Sequence, residues 1–147
     1  MAEVCSMSDP YNLQRFVNAQ QSIYDDACRE LREGRKRSHW MWFVFPQIEG
    51  LGHSALAREY AISSQEEAKA YLRHPVLGFR LEHCARLVAA INGRPIEDIF
   101  GYPDYMKFRS SMTLFFYASR DEEIFSECLQ KYFGGEPDPA TLAKLKK

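Results

Sequence analysis

Three cations, Arg35, Lys36 and Arg37, lead through Ser38 and His39 into four aromatics, Trp40, Trp42, Phe43 and Phe45, with Gln47 just beyond. Cations bind phosphate or carboxylate groups. An indole face stacks on a base or a nicotinamide-like ring. An imidazole titrates near neutrality and can donate a proton, and Gln47 can read an amide or carbonyl edge. The same residues also have a plainer use, with the aromatics filling a core and the cations forming a solvated connector. Large apolar side chains are usually buried, so Met41, Phe43, Val44 and Phe45 read as core. For His39, Trp40, Trp42 and Gln47 the two uses stand level.

A second constellation runs from Asp104 to Phe115. At helical spacing Asp104, Lys107 and Ser111 share one strip, and Arg109 and Thr113 share another. The strips flank an apolar face of Tyr105, Phe108, Met112 and Phe115. A Lys or Arg beside hydroxyls at the rim of a buried face can form an anion pocket. The candidate ligand contacts are therefore Lys36, His39, Trp40, Trp42, Gln47, Lys107, Arg109, Ser110, Ser111 and Thr113. The competing reading is an Asp104–Lys107 ion pair in solvent, with the Ser and Thr hydroxyls bonded back to helix carbonyls.

Familiar catalytic and cofactor motifs are absent. The sequence has no G-x-S-x-G elbow, H-E-x-x-H, Walker A loop or G-x-G-x-x-G fingerprint. Gly50-Leu51-Gly52 reads as a turn rather than a phosphate cradle. His39, His53, His74 and His83 lack close metal-ligand spacing, and Cys5, Cys28, Cys84 and Cys128 form no C-x-x-C pair, so neither metal nor cofactor is expected. Cys28, Cys84 and Cys128 fall on apolar helix faces and read as small core residues. Glu66-Glu67 and Glu122-Glu123 read as first-turn carboxylates that complement the helix dipole, without an acid or base role.

The elements that must position these groups are mostly helices. Asp9-Pro10 is a start signal ahead of Leu13, Phe16, Val17 and Gln20. Ser22 can open a second helix with Tyr24, Ala27, Cys28 and Leu31 on one face, stopped by Gly34. Trp40–Phe45 is apolar without alternation and reads as a buried strand or extended segment ended by Pro46, although periodicity alone does not separate this pattern from a helix. Ser54 can cap a short helix, and Ser64 with Glu67 makes a capping box for a helix ending near His74. Pro75 opens a helix with Leu77, Leu81, Cys84, Leu87, Val88 and Ile91 inward, closed by Gly93. A short helix follows from Pro95 to Phe100, and Pro103 begins another with Tyr105, Phe108, Met112, Phe115 and Phe116 inward. Ser119 with Glu122 caps the next, which Gly134-Gly135 stops, and Asp138-Pro139 starts the last.

The 147 residues, 46% hydrophobic and 27% charged, suit one domain with an ordinary core. No βαβ alternation is present, so the expected fold is mainly α: a single compact multi-helix domain over residues 9–145 with one short extended aromatic segment. A formal net charge of -1 gives no electrostatic reason to expect nucleic acid or a membrane surface as partner. The first ten residues lack an apolar signal core and no apolar run spans a bilayer, so a cytoplasmic setting is expected. Aromatics make up 14% of the chain, and 11 of the 20 sit in two windows, Trp40–Phe45 and Phe100–Tyr117.

The chain resembles the bacterial domain-of-unknown-function family DUF1810. The resemblance rests on Leu13-Gln14-Arg15-Phe16-Val17 with Gln20, His39 to Gln47, Tyr71 to Gly78, Ser110 to Phe115, Gly134 to Asp138 and Thr141-Leu142. It implies a compact, mainly helical fold and no stated activity. Some members carry a calpastatin label, but nothing here resembles a disordered calpain-inhibitor repeat. The order of elements is also similar to that of proteins that process NAD and ADP-ribose derivatives. That similarity rests on an early aromatic-rich helix with a Gln, an Ala-rich helix with Glu67-Ala68, and a late helix with Lys107-Phe108. It implies a pocket for a ribose-phosphate ligand and N-glycosidic bond hydrolysis, and it identifies no catalytic carboxylate. Two functions follow as expectations. One is a polar-aromatic pocket for a small anionic or nucleotide-like ligand; the other is a helical protein-interaction module without catalysis.

Overall fold

The computed structural model describes residues 9–119 and 121–146, and ten helices account for most of them. In chain order they are α1 (Gln14–Gln20), α2 (Tyr24–Arg32), α3 (Met41–Val44), α4 (Ala55–Glu59) and α5 (Gln65–Arg73). Then come α6 (Leu77–Ala89), α7 (Ile96–Phe100), α8 (Asp104–Ala118), α9 (Glu123–Phe133) and α10 (Pro139–Leu145). The mainly α expectation holds, and no strand is present among the described residues. Cys5 lies outside them.

Several helix ends obey the local chemistry read from the sequence. The Ser54 and Ser64 hydroxyls accept from the N–H groups of Ala57 and Glu67, and Asp138 accepts from Thr141 ahead of Pro139 in the first turn. Gly134 ends α9 in the left-handed region at φ 63°, where a side chain would be strained.

Other ends depart from it. Asp9 receives the N–H groups of Leu13 and Gln14 at 2.8 and 3.1 Å, but the α-helix proper starts only at Gln14. Ser119 does not cap α9; Glu122 holds the N-cap position without a side-chain cap bond, and its carboxylate faces Arg86 at 3.6 Å. The α6 start is organised by His74, whose Nδ1 accepts from the N–H groups of Val76 and Leu77.

The aromatic segment differs most. Instead of running extended, Trp40–Phe45 closes one helical turn, in which the Trp40 carbonyl accepts from the N–H groups of Phe43 and Val44. Met41 and Val44, three residues apart, are buried while Trp42 and Phe43 are half-buried. That is the burial period of a helical turn rather than a strand. Extended backbone follows the turn, where Ile48 pairs with Ile62 in an isolated parallel bridge.

Two helices organise the packing. α8 touches α5, α7, α9 and α10, and α6 touches α2, α3, α5 and α9. Because neighbours surround α8, Ser110, Ser111 and Thr113 are buried along with Phe108, Met112, Leu114 and Phe115. Phe45, Phe100 and Phe108 form a mutual aromatic cluster with ring centroids 5.0–6.0 Å apart, and Trp40 joins it through Phe45 and Phe100. Cys28, Cys84 and Cys128 are buried free thiols, as their helical register suggests. Burial pushes the Cys128 thiol up to about 12.

The first-turn carboxylate Glu67 does more than face a helix dipole. It is buried, pairs with Arg15 at 3.2 Å and accepts from the Ser63 hydroxyl and N–H, tying α1 to the start of α5. Arg15 also donates to the carbonyls of Tyr11, Asn12, Glu59 and Ala61.

The α5–α6 corner admits no side chain at Gly78, because a Cβ there would stand 2.1 Å from the Leu72 carbonyl oxygen. Gly78→Ala should therefore lower the urea midpoint at unchanged slope, by about 1–3 kcal/mol of stability, despite the better helix propensity of Ala. A variant as stable as the parent would disprove the close approach.

Candidate functional site

The site starts from a buried carboxylate. Glu30, on the last turn of α2, accepts from the N–H groups of Arg37 and Ser38 at 2.7 and 3.0 Å. It also accepts from the Ser38 hydroxyl at 2.6 Å and the Trp40 indole N–H at 2.9 Å. Burial alone raises a carboxyl pKa. Here the bonds from the Ser38 hydroxyl, the Arg37 N–H, the Trp40 indole and the Ser38 N–H outweigh it and draw Glu30 down to about 2. The turn from Arg35 to Trp40 is thereby held against α2, and the Lys36 N–H donates to the Ile99 carbonyl at 2.8 Å.

That turn aims Lys36 at α8. Its ammonium lies 2.9 Å from Asp104 Oδ2, its side chain only 8% exposed, and 5.3 Å from the Trp40 ring centroid. Asp104 also faces Lys107 at 3.4 Å, and Lys107 sits 4.9 Å over the Trp42 ring. The two constellations thus meet in a continuous chain, Trp40–Lys36–Asp104–Lys107–Trp42. Just past the end of α2, Glu33 pairs with Arg37. Lys36 instead reaches across to α8.

The other candidates divide. Gln47 and Trp42 share the wall of a niche of about 20 Å³ with Tyr60 and Gly52, room for one water-sized group. His39 stands exposed. Arg109 donates to the carbonyls of Glu136 and Pro137, Ser110 to Met106 and Asp138, and Thr113 to its own helix while accepting from the Asp138 N–H. These three residues moor the start of α10. Ser111 Oγ is buried without a hydrogen-bond partner among the described residues. For the interaction-module alternative, Trp40 is wholly buried and Trp42 is half-covered beneath Lys107.

Beside this chain of contacts opens a hollow of about 390 Å³ that the sequence pattern did not reveal. Its charged walls are Arg35, Lys36, Arg94, Glu97 and Asp98, with Ile99, Phe100 and Gly101 completing it. Lys36 is paired with Asp104, and Arg94 donates to the Gly34 carbonyl at 2.9 Å, its one hydrogen bond among the described residues. Arg35, Glu97 and Asp98 form no ion pair among the described residues, although cations and carboxylates face the same space. The available signal was the charge-rich run Arg94-Pro95-Ile96-Glu97-Asp98 at the start of a short helix. No group of three or more His, Cys, Asp or Glu side chains among the described residues is arranged to hold a metal ion. No helix among them is long and apolar enough to cross a membrane.

The sequence profile described as "Protein of unknown function (DUF1810)" matches residues 10–145. The chain belongs to the DUF1810 family. This DUF1810 fold is also similar to the crystal structure of the conserved hypothetical protein Rv1873 from Mycobacterium tuberculosis. The two share 55% identity at a TM-score of 0.94, over 95% of this chain and 99% of that one. No curated protein matches the chain.

Glu30 generates a pH-dependent prediction. Its folded pKa lies below the ordinary 4.5, so its stabilisation is complete above that value and is lost as pH falls toward about 2. Glu30→Gln should cost about 1.5–3 kcal/mol at pH 7, since it removes charge-assisted bonds. The deficit should shrink at pH 3. Urea unfolding at the two pH values checks this, and an equal deficit at both would refute the role of the charge.

Proposed function

We propose that this DUF1810 protein binds a small anionic, hydroxyl-bearing molecule of the sugar-phosphate or nucleotide class in the hollow beside Lys36. One observation carries the reading: charges of both signs line one concavity without pairing across it. Arg35, Arg94, Glu97 and Asp98 are exposed, so their remaining donors and acceptors are open to solvent and to a guest. The guanidinium of Arg35 and the remaining donors of Arg94 suit a phosphate. Glu97 and Asp98 are acceptors suited to the hydroxyls of a ribose. Lys36 contributes positive potential to the wall while staying fixed by Asp104.

The Asp104–Lys107–Trp42 contacts then act behind the binding wall, holding Lys36 in place. This gives the residues read from the sequence a supporting part and makes Arg35, Arg94, Glu97 and Asp98 the ligand contacts. The interaction-module alternative depends on an open aromatic groove, and the two tryptophans offer little of one.

Isothermal titration with ribose 5-phosphate, alongside a thermal-shift series, tests the reading. Saturation at about 100 times the dissociation constant should stabilise the fold by about 2.7 kcal/mol. The double variant Arg35→Met, Arg94→Met should weaken binding at least about tenfold while retaining the fold by circular dichroism. Rising salt should weaken binding to the parent protein. Absence of binding by the parent, or equal binding by the double variant, would overturn the proposal.

A further inference from the structure

We infer that Cys28 and Cys84 are a modification site, at which a hydroperoxide oxidises the two thiols to a disulfide that ties α2 to α6 and a thiol reductant reopens it. The register of the two helices brings the sulfurs together. Tyr24 and Cys28 lie one turn apart on one face of α2, and Arg80 and Cys84 lie one turn apart on one face of α6. The helices touch, and the Arg80 guanidinium stands 4.5 Å over the Tyr24 ring. One turn further along each helix Cys28 faces Cys84, within reach of hydrogen bonding between the thiols. Both thiols are free, and Cys28 keeps 4% of its surface open where Cys84 keeps none.

The surroundings assign the sulfurs different parts. A thiolate, not a thiol, is the nucleophile. At Cys28 the ionised form is favoured by hydrogen bonding from Cys84, then by the Tyr24 hydroxyl and the charges of His83 and Arg32, and these outweigh burial and hold the thiol below its ordinary range. The Tyr24 hydroxyl is buried without a hydrogen-bond partner among the described residues, so its proton is available to a thiolate one turn away. Hydrogen bonding to Cys28 and burial push Cys84 up. Cys28 is therefore the attacking sulfur and Cys84 the resolving one. The Cys28 sulfur displaces hydroxide from the peroxide O–O bond and becomes a sulfenic acid, and the hydroxide takes up the proton that Cys28 released, giving water. The Cys84 sulfur then attacks the sulfenic sulfur. Its proton leaves with the sulfenic hydroxyl as a second water, and the S–S bond closes. Two thiols are oxidised and one peroxide is reduced. Cys128 has no such setting, for its thiol donates to the Ala85 carbonyl at 3.5 Å and burial raises its pKa. The new bond would fix to α6 the helix that carries Glu30, and with it the turn that presents Lys36.

The test uses the full chain, reduced and then freed of reductant. Equimolar hydrogen peroxide should remove the Cys28 and Cys84 thiols while Cys128 keeps its own. Peptide mapping by mass spectrometry should recover the Cys28 segment joined to the Cys84 segment, and dithiothreitol should separate them. Cys84→Ser removes the resolving sulfur, so Cys28 should then persist as a sulfenic acid that dimedone captures. The parent measurements stand on their own where that variant fails to fold. Retention of both thiols in the parent, their loss without the joined segments, or a disulfide to another cysteine in place of this one would overturn the inference.

Discussion

The buried carboxylate of Glu30 fixes where the chain goes after α2. It gathers the backbone N–H groups of Arg37 and Ser38, the Ser38 hydroxyl and the Trp40 indole N–H. A buried charge is costly unless hydrogen bonds surround it, and this one is surrounded. The reach of the Trp40 indole to Glu30 sets that ring in the aromatic cluster with Phe45 and Phe100. The same turn directs Lys36 toward Asp104. Electrostatics on α2 thus positions both a core anchor and a cation at the edge of the charged hollow.

α8 imposes the complementary constraint. Helices pack around its middle, so polar side chains there are cut off from water and most find partners inside the protein. Ser110, Thr113 and Arg109 do so by capturing the backbone and carboxylate that begin α10. What remains free of that duty is the first turn, where Asp104 and Lys107 reach Lys36 and Trp42. The helix therefore divides most of its polar residues by position: Arg109, Ser110 and Thr113 in its middle secure the C-terminal segment, Asp104 and Lys107 at its start face the basic turn, and the Ser111 hydroxyl is left buried without a partner among the described residues.

Family membership and the close likeness to the mycobacterial structure establish the fold, but a fold by itself does not specify chemistry. The functional argument lies in how charge is distributed over two neighbouring concavities. One holds cations and carboxylates without an ion pair between them, and the next mixes Leu87, Ala90 and Ile91 with Arg32, Glu33 and Asn92. Arg94 borders both. Its position joins a loop at the end of α2 to the start of α7, so the arrangement depends on segments 60 residues apart being held in contact.

The sequence by itself determined the local events: the helices, the serine caps at Ser54 and Ser64, the Asp138-Pro139 start, the Gly134 stop, and the buried cysteines. Each depends on side chains within a few residues, which spacing and capping chemistry express directly. It also marked two segments whose charges and aromatics do converge, through Lys36, Asp104, Lys107 and Trp42. It could not distinguish the Trp40–Phe45 turn from an extended segment, because an apolar run of six carries neither period clearly. Nor could it tell that Arg109, Ser110 and Thr113 serve α10, or that Arg94, Glu97 and Asp98 share a hollow with Arg35. Tertiary structure decided those matters, because burial around α8 and the partners of each charge come from chain segments distant in sequence.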